Sequence, residues 1–484
     1  MENAAKPSSK ELLEHLLDAE KLKSCFECGI CTSSCPMVEL FPKHYNPRIL
    51  LEKMFLTPDE ALKSEALWLC AWCYECAKHC PQKLKLPEIF LSLRKLAKDK
   101  GNLNGFERAM KTISSEIAFP NSFCLVCLHP ERVDTALKPS HTLSTSRRNR
   151  AKATTQTLKK DKVAVIGAGP AGITAAAELA KKGYSVTIFE SSSSLGGMLK
   201  QCIPEHRLPK AVLDAEIEQI KQLGVEIMPN TQLGKNLTMD GLWRDDYRSV
   251  FISTGAHKSR KLDVESENLD GVVQALDFLR DTNLGKRVHV GELVAVIGGG
   301  NVAIDAARTA LRLGAKEAHI LYRRTREEMP ANPYEVKEAE QDGVKIQFLV
   351  APKKIIGNNG KVTSLECFKM ALGEPDETGR RTPKPIEGSE FTLPFDTIIL
   401  AIGESPNIDF LPKEVEIGEG NVIVVDPFTM ETSMPGVFAG GDCVSGPASV
   451  VEAVVAGKRA AAQIEQFLEK DKSKLTVTQV GKQT

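Results

Sequence analysis

Two short cysteine runs constrain the fold of this chain more than any other feature of its sequence. The first, CFECGICTSSCP, occupies residues 25–36, and the second, CAWCYECAKHCP, occupies residues 70–81. Both have the spacing C-x2-C-x2-C-x3-C-P, in which three thiolates of one tight loop bind one [4Fe–4S] cluster and the fourth cysteine ligates the other cluster. The sequence therefore predicts two clusters with crossed ligation. One set of ligands is Cys25, Cys28, Cys31 and Cys80, and the other is Cys70, Cys73, Cys76 and Cys35.

Other uses of these cysteines, as zinc ligands or as plain buried thiols, fit the sequence less well. Zinc sites generally take four ligands as two separated pairs, whereas each run here supplies four cysteines followed by a proline. A disulfide framework belongs to small secreted domains. This chain has 484 residues, and its start, MENAAKPSSKELLEHLL, lacks the basic and apolar regions of a secretory signal. Metal ligation is therefore the expected role of the clustered thiols.

Composition and charge disfavour several other classes of protein. Lys+Arg and Asp+Glu are equal at 63 each, so the overall charge gives no reason to expect binding to nucleic acid or to an acidic membrane surface. No stretch approaches the roughly 18–20 apolar residues that span a bilayer. We expect a cytoplasmic protein of a prokaryote, without a membrane span.

Helices surround the two cysteine runs. A helical spacer, residues 47–69, separates the runs, and a helix with the sequence LPEIFLSLRKLAKDKGN follows the second run and ends at Gly101. Another helix is predicted near the amino terminus, where Ser8 and Glu11 have capping-box spacing. The long spacer and its HYNPR segment resemble the C-type subunits of heterodisulfide reductase and the iron–sulfur subunits of succinate dehydrogenase-like enzymes, over roughly residues 20–100.

A third, smaller group of possible ligands lies in FCLVC at residues 123–127. Cys124 and Cys127, with His129 close in sequence, have the composition of a partial metal site. They are equally compatible with reduced structural cysteines, which is the interpretation that the sequence slightly favours. A third metal site here would need ligands from elsewhere in the chain.

The first nucleotide motif lies in VAVIGAGPAGITAAAELAKKGYSVTIFE, which has the pattern of a strand, a helix and a second strand. Gly167, Gly169 and Gly172 form G-x-G-x-x-G at the strand–helix turn, and Glu190 ends the second strand. The glycines let the backbone approach a pyrophosphate at the helix amino terminus. An acid about 20 residues further on binds the hydroxyls of an unphosphorylated ribose. The motif therefore predicts FAD or NAD.

Three later segments favour FAD because they resemble the flavin disulfide-reductase-like folds. SLGGML follows the acid and contains Gly197. FISTG ends in Thr254 and Gly255, and GVFAGGD contains Gly441 and Asp442, which in those folds contact the ribitol and phosphate of the flavin. A helix beginning at about Ser449 is expected to point its amino end, and thus its positive dipole end, at the flavin ring.

The second nucleotide motif, AVIGGGNVAIDAARTALRLG, has G-x-G-x-x-A and lacks the acid. Arg323 and Arg324 stand at the ribose position instead. Two guanidinium groups bind a 2′-phosphate with charge-assisted hydrogen bonds, so NADP(H) is favoured over NAD(H). The alternative is that these arginines are ordinary solvated charges. The residues expected to bind NADP(H) are Gly298, Gly300, Asn301, Val302, Ala303, Arg323 and Arg324.

Residues 160–468 resemble the small-subunit family of NADPH-dependent glutamate synthase, on the motifs IPEHRLPK, GGGNVAIDAA, YRRTREEMPA and AGGDCVSGPASVVEA. That family includes the amino-terminal part of dihydropyrimidine dehydrogenase and the large subunit of NADH-dependent ferredoxin:NADP oxidoreductase. The resemblance implies an FAD domain interrupted by an NADPH domain and preceded by a two-cluster iron–sulfur domain. The FAD-binding residues are then Gly167, Gly169, Pro170, Ala171, Gly172, Glu190, Gly197, Met198, Arg207, Thr254, Gly255, Gly441, Asp442, Val450 and Val451.

Two features depart from that family. Its members usually have a different cysteine spacing in the cluster domain, which here looks like a heterodisulfide-reductase-type module. Cys202 precedes IPEHRLP where the family commonly has glycine, so the backbone is expected to differ there.

The expected fold class is α/β, with a helical two-cluster ferredoxin-type domain followed by tandem Rossmann-like FAD and NAD(P) domains of the flavin disulfide-reductase-like type. Residues 138–162 are basic and rich in Ser and Thr, which favours a solvated linker over a docking segment for an acidic partner. The expected boundaries are 1–115 for the cluster domain, 116–160 for the linker, 161–285 and 393–470 for the two parts of the FAD domain, 286–392 for the NAD(P)H domain and 471–484 for a carboxy-terminal tail.

The expected function is electron transfer between NADP(H), FAD, two [4Fe–4S] clusters and a partner subunit or ferredoxin, in either direction and in a hetero-oligomer. Alternatives are a glutamate synthase small subunit proper, or a subunit of an electron-bifurcating or heterodisulfide reductase-like complex. No catalytic acid or base is expected, because hydride transfer requires positioning. A self-contained thiol reductase needs a C-x-x-C pair beside the flavin, and Cys202, Cys367 and Cys443 are unpaired in sequence. A non-catalytic module is disfavoured because both nucleotide motifs are intact.

Overall fold

The computed structural model describes Cys25 and residues 28–133, 161–376 and 379–480, except for the side chains of Glu131 and of residues 471–480. The amino-terminal helix predicted from Ser8 and Glu11 lies outside the described residues, as does most of the predicted linker.

A helical unit comes first and contains both cysteine runs. Its helices are α1 (Ile30–Ser33), α2 (Pro36–Leu40), α3 (Pro47–Leu56), α4 (Pro58–Lys63), α5 (Glu75–Lys78), α6 (Leu86–Asp99), α7 (Asn104–Glu116) and α8 (Pro120–Phe123), with 3-10 turns at Glu65–Trp68 and Pro130–Arg132 and a π-helical turn at Cys124–Leu128. Proline begins α2, α3, α4 and α8, where its missing N–H is not needed by the helix. The predicted helical spacer is therefore two helices and a 3-10 turn.

Residues 116–133, which the sequence assigned to a linker, are packed into the protein core instead. Phe119, Phe123 and Cys124 are fully buried there. Glu216 holds this segment against the next unit, because its carboxylate accepts hydrogen bonds from the backbone N–H of Asn121, at 2.6 Å, and from the hydroxyl of Ser122, also at 2.6 Å.

A first parallel sheet begins at residue 162. The chain runs through β1 (Lys162–Ile166), α9 (Pro170–Lys181), β2 (Ser185–Phe189), α10 (Met198–Gln201), α11 (Lys210–Lys221), β3 (Glu226–Met228), α12 (Met239–Arg244) and β4 (Tyr247–Ile252). The strand–helix–strand unit predicted around the first glycine motif is confirmed. Its strands are nearly continuous buried runs, as expected for a parallel sheet covered on both faces.

A second parallel sheet and an antiparallel extension follow. The elements are β5 (Lys258–Ser259), β6 (Val272–Gln274), α13 (Ala275–Asn283), β7 (Leu293–Ile297), α14 (Asn301–Arg312), β8 (Glu317–Tyr322), α15 (Pro333–Gln341), β9 (Lys345–Phe348), β10 (Val350–Asn358), β11 (Lys361–Pro375), β12 (Arg381–Pro385), β13 (Phe391–Pro394), β14 (Thr397–Leu400) and β15 (Glu404–Ser405). The chain then returns to the first sheet through β16 (Val437–Ala439), α16 (Asp442–Ser445) and α17 (Val450–Val480).

Strand pairing divides these elements into two Rossmann-like sheets. The first has the order β16-β4-β1-β2-β3 and the second the order β6-β14-β7-β8-β9, with all neighbours parallel. Strands β10 to β13 form an antiparallel sheet beside the second. Strands β6 and β14, which the expected boundaries placed in the FAD parts, belong to the second sheet, because β14 pairs in parallel with both β6 and β7.

The helical unit and the first sheet share one hydrophobic core, which includes Phe90, Phe123 and Leu179. Helix α17 crosses from the sheet to the helical unit, where Lys458 pairs with Glu116 at 3.0 Å and Arg459 pairs with Glu39. Among the described helices, none has the length and apolar character needed to cross a bilayer.

Candidate functional site

A cavity of about 690 Å³ lies where the helical unit and the two Rossmann-like sheets meet. This volume falls within the range of about 300–1,000 Å³ found for small-molecule and cofactor sites. Every residue predicted to bind FAD lines it except Gly172. The lining set is Gly167, Gly169, Pro170, Ala171, Glu190, Gly197, Met198, Arg207, Thr254, Gly255, Gly441, Asp442, Val450 and Val451.

The first glycine turn has the shape that a dinucleotide requires. A Cβ atom on Gly169 would meet no atom within 4 Å, so the backbone there is open to a ligand. A Cβ atom on Gly172 would lie 2.0 Å from the carbonyl oxygen of Gly167, so Gly172 serves the close packing of α9 on β1. Gly172 therefore packs α9 against β1 and does not line the cavity.

Two acidic residues, Glu190 and Asp442, line the cavity. The carboxylate of Glu190 accepts hydrogen bonds from the backbone N–H groups of Ala168 and Ser192, both at 2.8 Å, which fixes it beside the glycine turn. Asp442 follows Gly441, and burial raises the pKa of its carboxyl to about 7. Both residues predicted to contact FAD through acidic side chains therefore lie at the cavity.

The amino end of α17 faces the cavity, as predicted. Ser449 is its cap: its hydroxyl accepts from the backbone N–H of Glu452 at 3.3 Å, and the Glu452 carboxylate accepts from the backbone N–H of Ser449 at 2.8 Å. This reciprocal capping box leaves the positive end of the helix dipole directed at the cavity, where Val450 and Val451 form part of the wall.

The start of α14, directly after the second glycine turn, borders the same cavity, although Gly298 and Gly300 themselves do not line it. A Cβ atom on Gly300 would meet nothing within 4 Å, whereas one on Gly298 would lie 2.1 Å from the carbonyl oxygen of Ala401. Asn301 and Val302, at the start of α14, line the cavity, and Ala303 is fully buried beneath them. The two predicted nucleotide turns are therefore brought together at one site.

The two arginines at the predicted ribose position have different environments. Arg323 is exposed at the end of β8. Arg324 is buried, pairs with Asp376 at 2.8 Å and donates to the carbonyl oxygen of Arg381 at 2.7 Å. The positive charge of Arg380 also acts on Arg323. Arg323 is thus the arginine of this pair that is open to a phosphate, while Arg324 holds the antiparallel extension against β8.

The cysteines predicted as cluster ligands form two groups in the structure. We call Cys25, Cys28, Cys31 and Cys80 the outer quartet, and Cys70, Cys73, Cys76 and Cys35 the inner quartet. Burial raises the pKa of Cys25 to about 11, and the three other thiols of the outer quartet add to this shift. Burial also raises the pKa of Cys76, with contributions from the rest of the inner quartet and from Cys31. Cys31 is therefore close to both groups.

The two cysteine loops have matching backbones. Gly29 and Tyr74, each directly after the second cysteine of its run, both take left-handed conformations, with φ of +70° and +61°. Each precedes a four-residue helix, α1 or α5, that carries the third cysteine. Such paired loops, with thiols from one run joining those of the other, fit two cubane clusters.

The inner quartet borders the cavity. Cys73 and its neighbour Trp72 line the wall, together with Cys127 and His129 from the π-helical turn and the residues after it. Burial raises the pKa of Cys127 and lowers that of His129, so both groups are neutral in the protein. The thiol of Cys124 contacts Met110 at 3.4 Å, which agrees with a structural cysteine.

A buried ionic network joins the three parts of the molecule around this cavity. Arg207, predicted to contact FAD, donates to Asp305 of α14 at 2.7 Å and lies 3.3 Å from Glu335 of α15. Glu335 also pairs with Arg132 of the helical unit at 2.6 Å. Burial opposes its ionisation, yet the charges of Arg207 and Arg132 lower the pKa of Glu335 to about 2.

A second link connects the nucleotide turn directly to the inner cysteine loop. The backbone N–H of Asn332 donates to Asn301 Oδ1 at 2.9 Å, and Asn332 Nδ2 donates to the carbonyl oxygen of Trp72 at 3.3 Å. The guanidinium of Arg132 lies 5.2 Å from the ring of Trp72 and 4.4 Å from that of Tyr334. Sequence reasoning missed these residues because their partners lie far along the chain. No local spacing in the sequence signals contacts of this kind.

Comparisons with known proteins match two families to the chain and identify its fold. The profile of the pyridine nucleotide-disulphide oxidoreductase family matches residues 161–457, and the profile of a 4Fe-4S dicluster domain matches residues 21–84. FprA from Mycobacterium tuberculosis, as its His57Gln mutant, has a TM-score of 0.56 at 19% identity, over 66% of this chain and 86% of that one. The predicted fold class is confirmed.

Three curated relatives show how far the likeness extends. The NADP(+)-dependent formate dehydrogenase subunit beta of Moorella thermoacetica is 50% identical over 67% of this chain and 46% of its own length, so the chain spans less than half of that relative. The NADPH-Fe(3+) oxidoreductase subunit beta of Geobacter sulfurreducens is 34% identical over 95% of this chain and 72% of its own length. The glutamate synthase [NADPH] small chain of Escherichia coli is 38% identical over 64% and 69%. The resemblance drawn from the motifs is confirmed.

Proposed function

Because the chain belongs to the pyridine nucleotide-disulphide oxidoreductase family, among the relatives of the NADPH-dependent glutamate synthase small chains, we propose that it exchanges electrons between NADP(H) and a separate partner subunit. It is a flavoprotein oxidoreductase subunit with iron–sulfur clusters. When bound, FAD connects the two-electron chemistry of a nicotinamide with the single-electron steps that an iron–sulfur cluster accepts.

The residues that would hold each group follow from the site. The turn at Gly169 and the carboxylate of Glu190 would bind the adenosine end of FAD, and the amino end of α17 would face its ring. The turn at Gly300 would bind NADP(H), with Arg323 on the 2′-phosphate. The two quartets would ligate the clusters with crossed connectivity. Because no step needs a proton donor at a fixed atom, positioning is the main contribution of these residues.

One observation carries the proposal: a single cavity is lined by the first glycine turn, by Asn301 and Val302 directly after the second, and by Cys73 of the inner quartet. The outer quartet lies beyond the inner quartet, since Cys31 is close to both groups. It reaches the protein surface, because Cys28 is exposed. The order from nucleotide to surface is therefore the second glycine turn, the cavity, the inner quartet and the outer quartet. This order is compatible with electron flow in either direction.

The partner is best described as a catalytic protein that carries the terminal chemistry. The Geobacter sulfurreducens relative is itself a subunit beta, and its alignment covers 95% of this chain, including the cluster unit. A glutamate synthase small subunit proper is the second candidate, but that alignment covers only 64% of the chain. Eight of the thirteen cysteines fall in the two cluster runs rather than in a disulfide framework, which supports a reducing compartment such as the cytoplasm.

Anaerobic purification of the chain from its native host tests the proposal. We expect about eight iron atoms and one FAD per chain, since two cubanes hold four irons each. NADPH should bleach the flavin absorbance faster than NADH, and a second subunit should co-purify. A colourless protein, or a flavin that NADPH does not bleach, would contradict the proposal.

A further inference from the structure

Arg94 of α6 is a buried cation in the helical unit, with 1% of its surface exposed. Its guanidinium donates three hydrogen bonds, all to backbone carbonyl oxygens: to Cys70 at 2.7 Å, to Leu67 at 2.9 Å and to Leu128 at 3.0 Å. It therefore ties the start of the inner cysteine loop to the π-helical turn whose Cys127 lines the cavity.

The charge of Arg94 has no acidic partner within the described part of the chain. Its hydrogen bonds all go to neutral carbonyls, and the ionisable side chains near it are the neutral thiols of Cys70 and Cys124 and the neutral hydroxyl of Tyr45. A buried charge is strongly unfavourable unless an opposite charge lies close to it. Arg94 contacts the backbone of Cys70. This position indicates that its counter-charge is the anionic iron–sulfur cluster that the inner quartet would bind.

Two indole N–H groups near Cys70 also favour a cluster at the inner quartet. Trp68 and Trp72 flank Cys70, and the Nε1 atoms of both are buried without a hydrogen bond partner among the described residues. Trp68 also lies 5.6 Å from the guanidinium of Arg94. Buried N–H donors that lack a protein acceptor call for another explanation, and cluster sulfurs accept such bonds.

We propose that Arg94 is a positioning residue of the inner quartet and supplies the fixed positive charge that raises the reduction potential of the cluster held there. The inference rests on the proposed function. A positive charge stabilises the reduced cluster more than the oxidised one, because reduction adds a negative charge. The inner cluster would then accept electrons from the cavity more readily than its thiolate ligands alone would allow.

Redox titration of the anaerobically purified chain, followed by electron paramagnetic resonance, tests this proposal. The variants are Arg94→Gln, which removes the charge, and Arg94→Lys, which keeps it with fewer donors. Arg108→Gln is the matched control, because Arg108 is an exposed arginine of the same unit that also donates to a backbone carbonyl, that of Lys63. At a fixed potential, Arg94→Gln should lower the ratio of reduced to oxidised inner cluster at least tenfold, which is ~59 mV for a one-electron couple.

The outcomes separate this inference from the proposed function. The outer cluster should keep its reduction potential in all variants. The reduction potential of the inner cluster in Arg94→Lys should be closer to the wild-type value than that in Arg94→Gln. Loss of the inner cluster in Arg94→Gln with its retention in Arg94→Lys would also support a requirement for the charge. An unchanged potential in Arg94→Gln with full iron content, or loss of the cluster in both variants, would overturn the inference. Absence of clusters from the wild type would reject the proposed function instead.

Discussion

Cys35 ends the first cysteine run, yet it lies near the first three cysteines of the second run, with which it forms the inner quartet. Burial raises the pKa of its thiol to about 12, and the largest contribution from another thiol is that of Cys70, which lies in the second run. We therefore expect Cys35→Ser to damage the cluster that Cys70, Cys73 and Cys76 would hold. Cys80→Ser is the reciprocal control and should damage the outer cluster. Electron paramagnetic resonance and iron content measure both effects, and loss of the outer cluster in Cys35→Ser would refute crossed ligation.

Arg323 is the residue that we expect to select NADPH. Arg323→Gln should lower kcat/KM for NADPH about 10- to 100-fold, as the loss of one hydrogen bond to a charged group predicts, and leave NADH almost unaffected. Arg326→Gln is the matched control, since Arg326 is a nearby exposed arginine that pairs with Glu340. Equal losses with NADPH and NADH, measured by flavin bleaching, would show that Arg323 does not read the 2′-phosphate.

At the scale of single residues, the sequence predicts what depends on fixed local spacing. Cluster ligands and glycine turns have such spacing because sulfur–iron geometry and backbone approach to a phosphate demand it. The ion pair of Arg324 was not predictable, because its partner Asp376 lies 52 residues away, directly after the end of β11. The sequence pattern of two adjacent arginines is the same whether one or both remain open to a ligand.

At the scale of elements, α14 and α15 meet the other two units through Glu335. Its side chain, 3% exposed, pairs with Arg132 at 2.6 Å and with Arg207 at 3.3 Å. Removing the carboxylate leaves two buried guanidinium groups with weakened partners, so Glu335→Gln should lower the free energy of unfolding by roughly 3–5 kcal/mol. Glu340→Gln, on the exposed end of the same helix, should cost only about 0–1 kcal/mol.

The stabilisation of the fold by the Glu335 carboxylate should decrease at low pH. Because the two arginines outweigh burial and lower the pKa of Glu335 to about 2, its ionised form stabilises the folded protein fully above its ordinary pKa of 4.5. That stabilisation is lost as the pH falls from 4.5 towards 2. The difference between wild type and Glu335→Gln, measured by urea denaturation of the reduced apoprotein, should be constant between pH 7 and 5 and shrink below 4.5. A difference that does not change with pH would contradict the assignment of charge.

Elements were predicted well where their pattern is local and poorly where their place depends on distant pairing. The strand–helix–strand units around both glycine motifs have continuous apolar strands and a helix of matching period, and they form as expected. Strands β6 and β14 are equally apolar, but their membership of the second sheet is decided by parallel pairing with each other and with β7. The sequence of a short apolar segment does not determine which sheet the segment joins.

At the scale of the whole molecule, the cavity is formed by three parts of the chain that are remote in sequence. Asn332 reaches Trp72 across 260 residues, and Arg132 reaches Glu335 across 203. These contacts bring the second nucleotide turn to the inner cysteine loop, although each motif could be recognised separately. Their juxtaposition at one cavity is the basis of the single electron route proposed above.

This route predicts that each quartet has a separate role in electron transfer. Cys28→Ser/Cys80→Ser should remove the outer cluster and leave bleaching of the flavin by NADPH and reduction of the inner cluster unchanged, because the outer quartet does not line the cavity. Transfer to a protein acceptor too large for the cavity should be lost. The matched variant Cys73→Ser/Cys76→Ser should keep bleaching by NADPH but lose reduction of both clusters. Anaerobic stopped-flow absorbance and electron paramagnetic resonance follow these steps. Reduction of the protein acceptor at the wild-type rate by the first variant would show that electrons leave the molecule by another path.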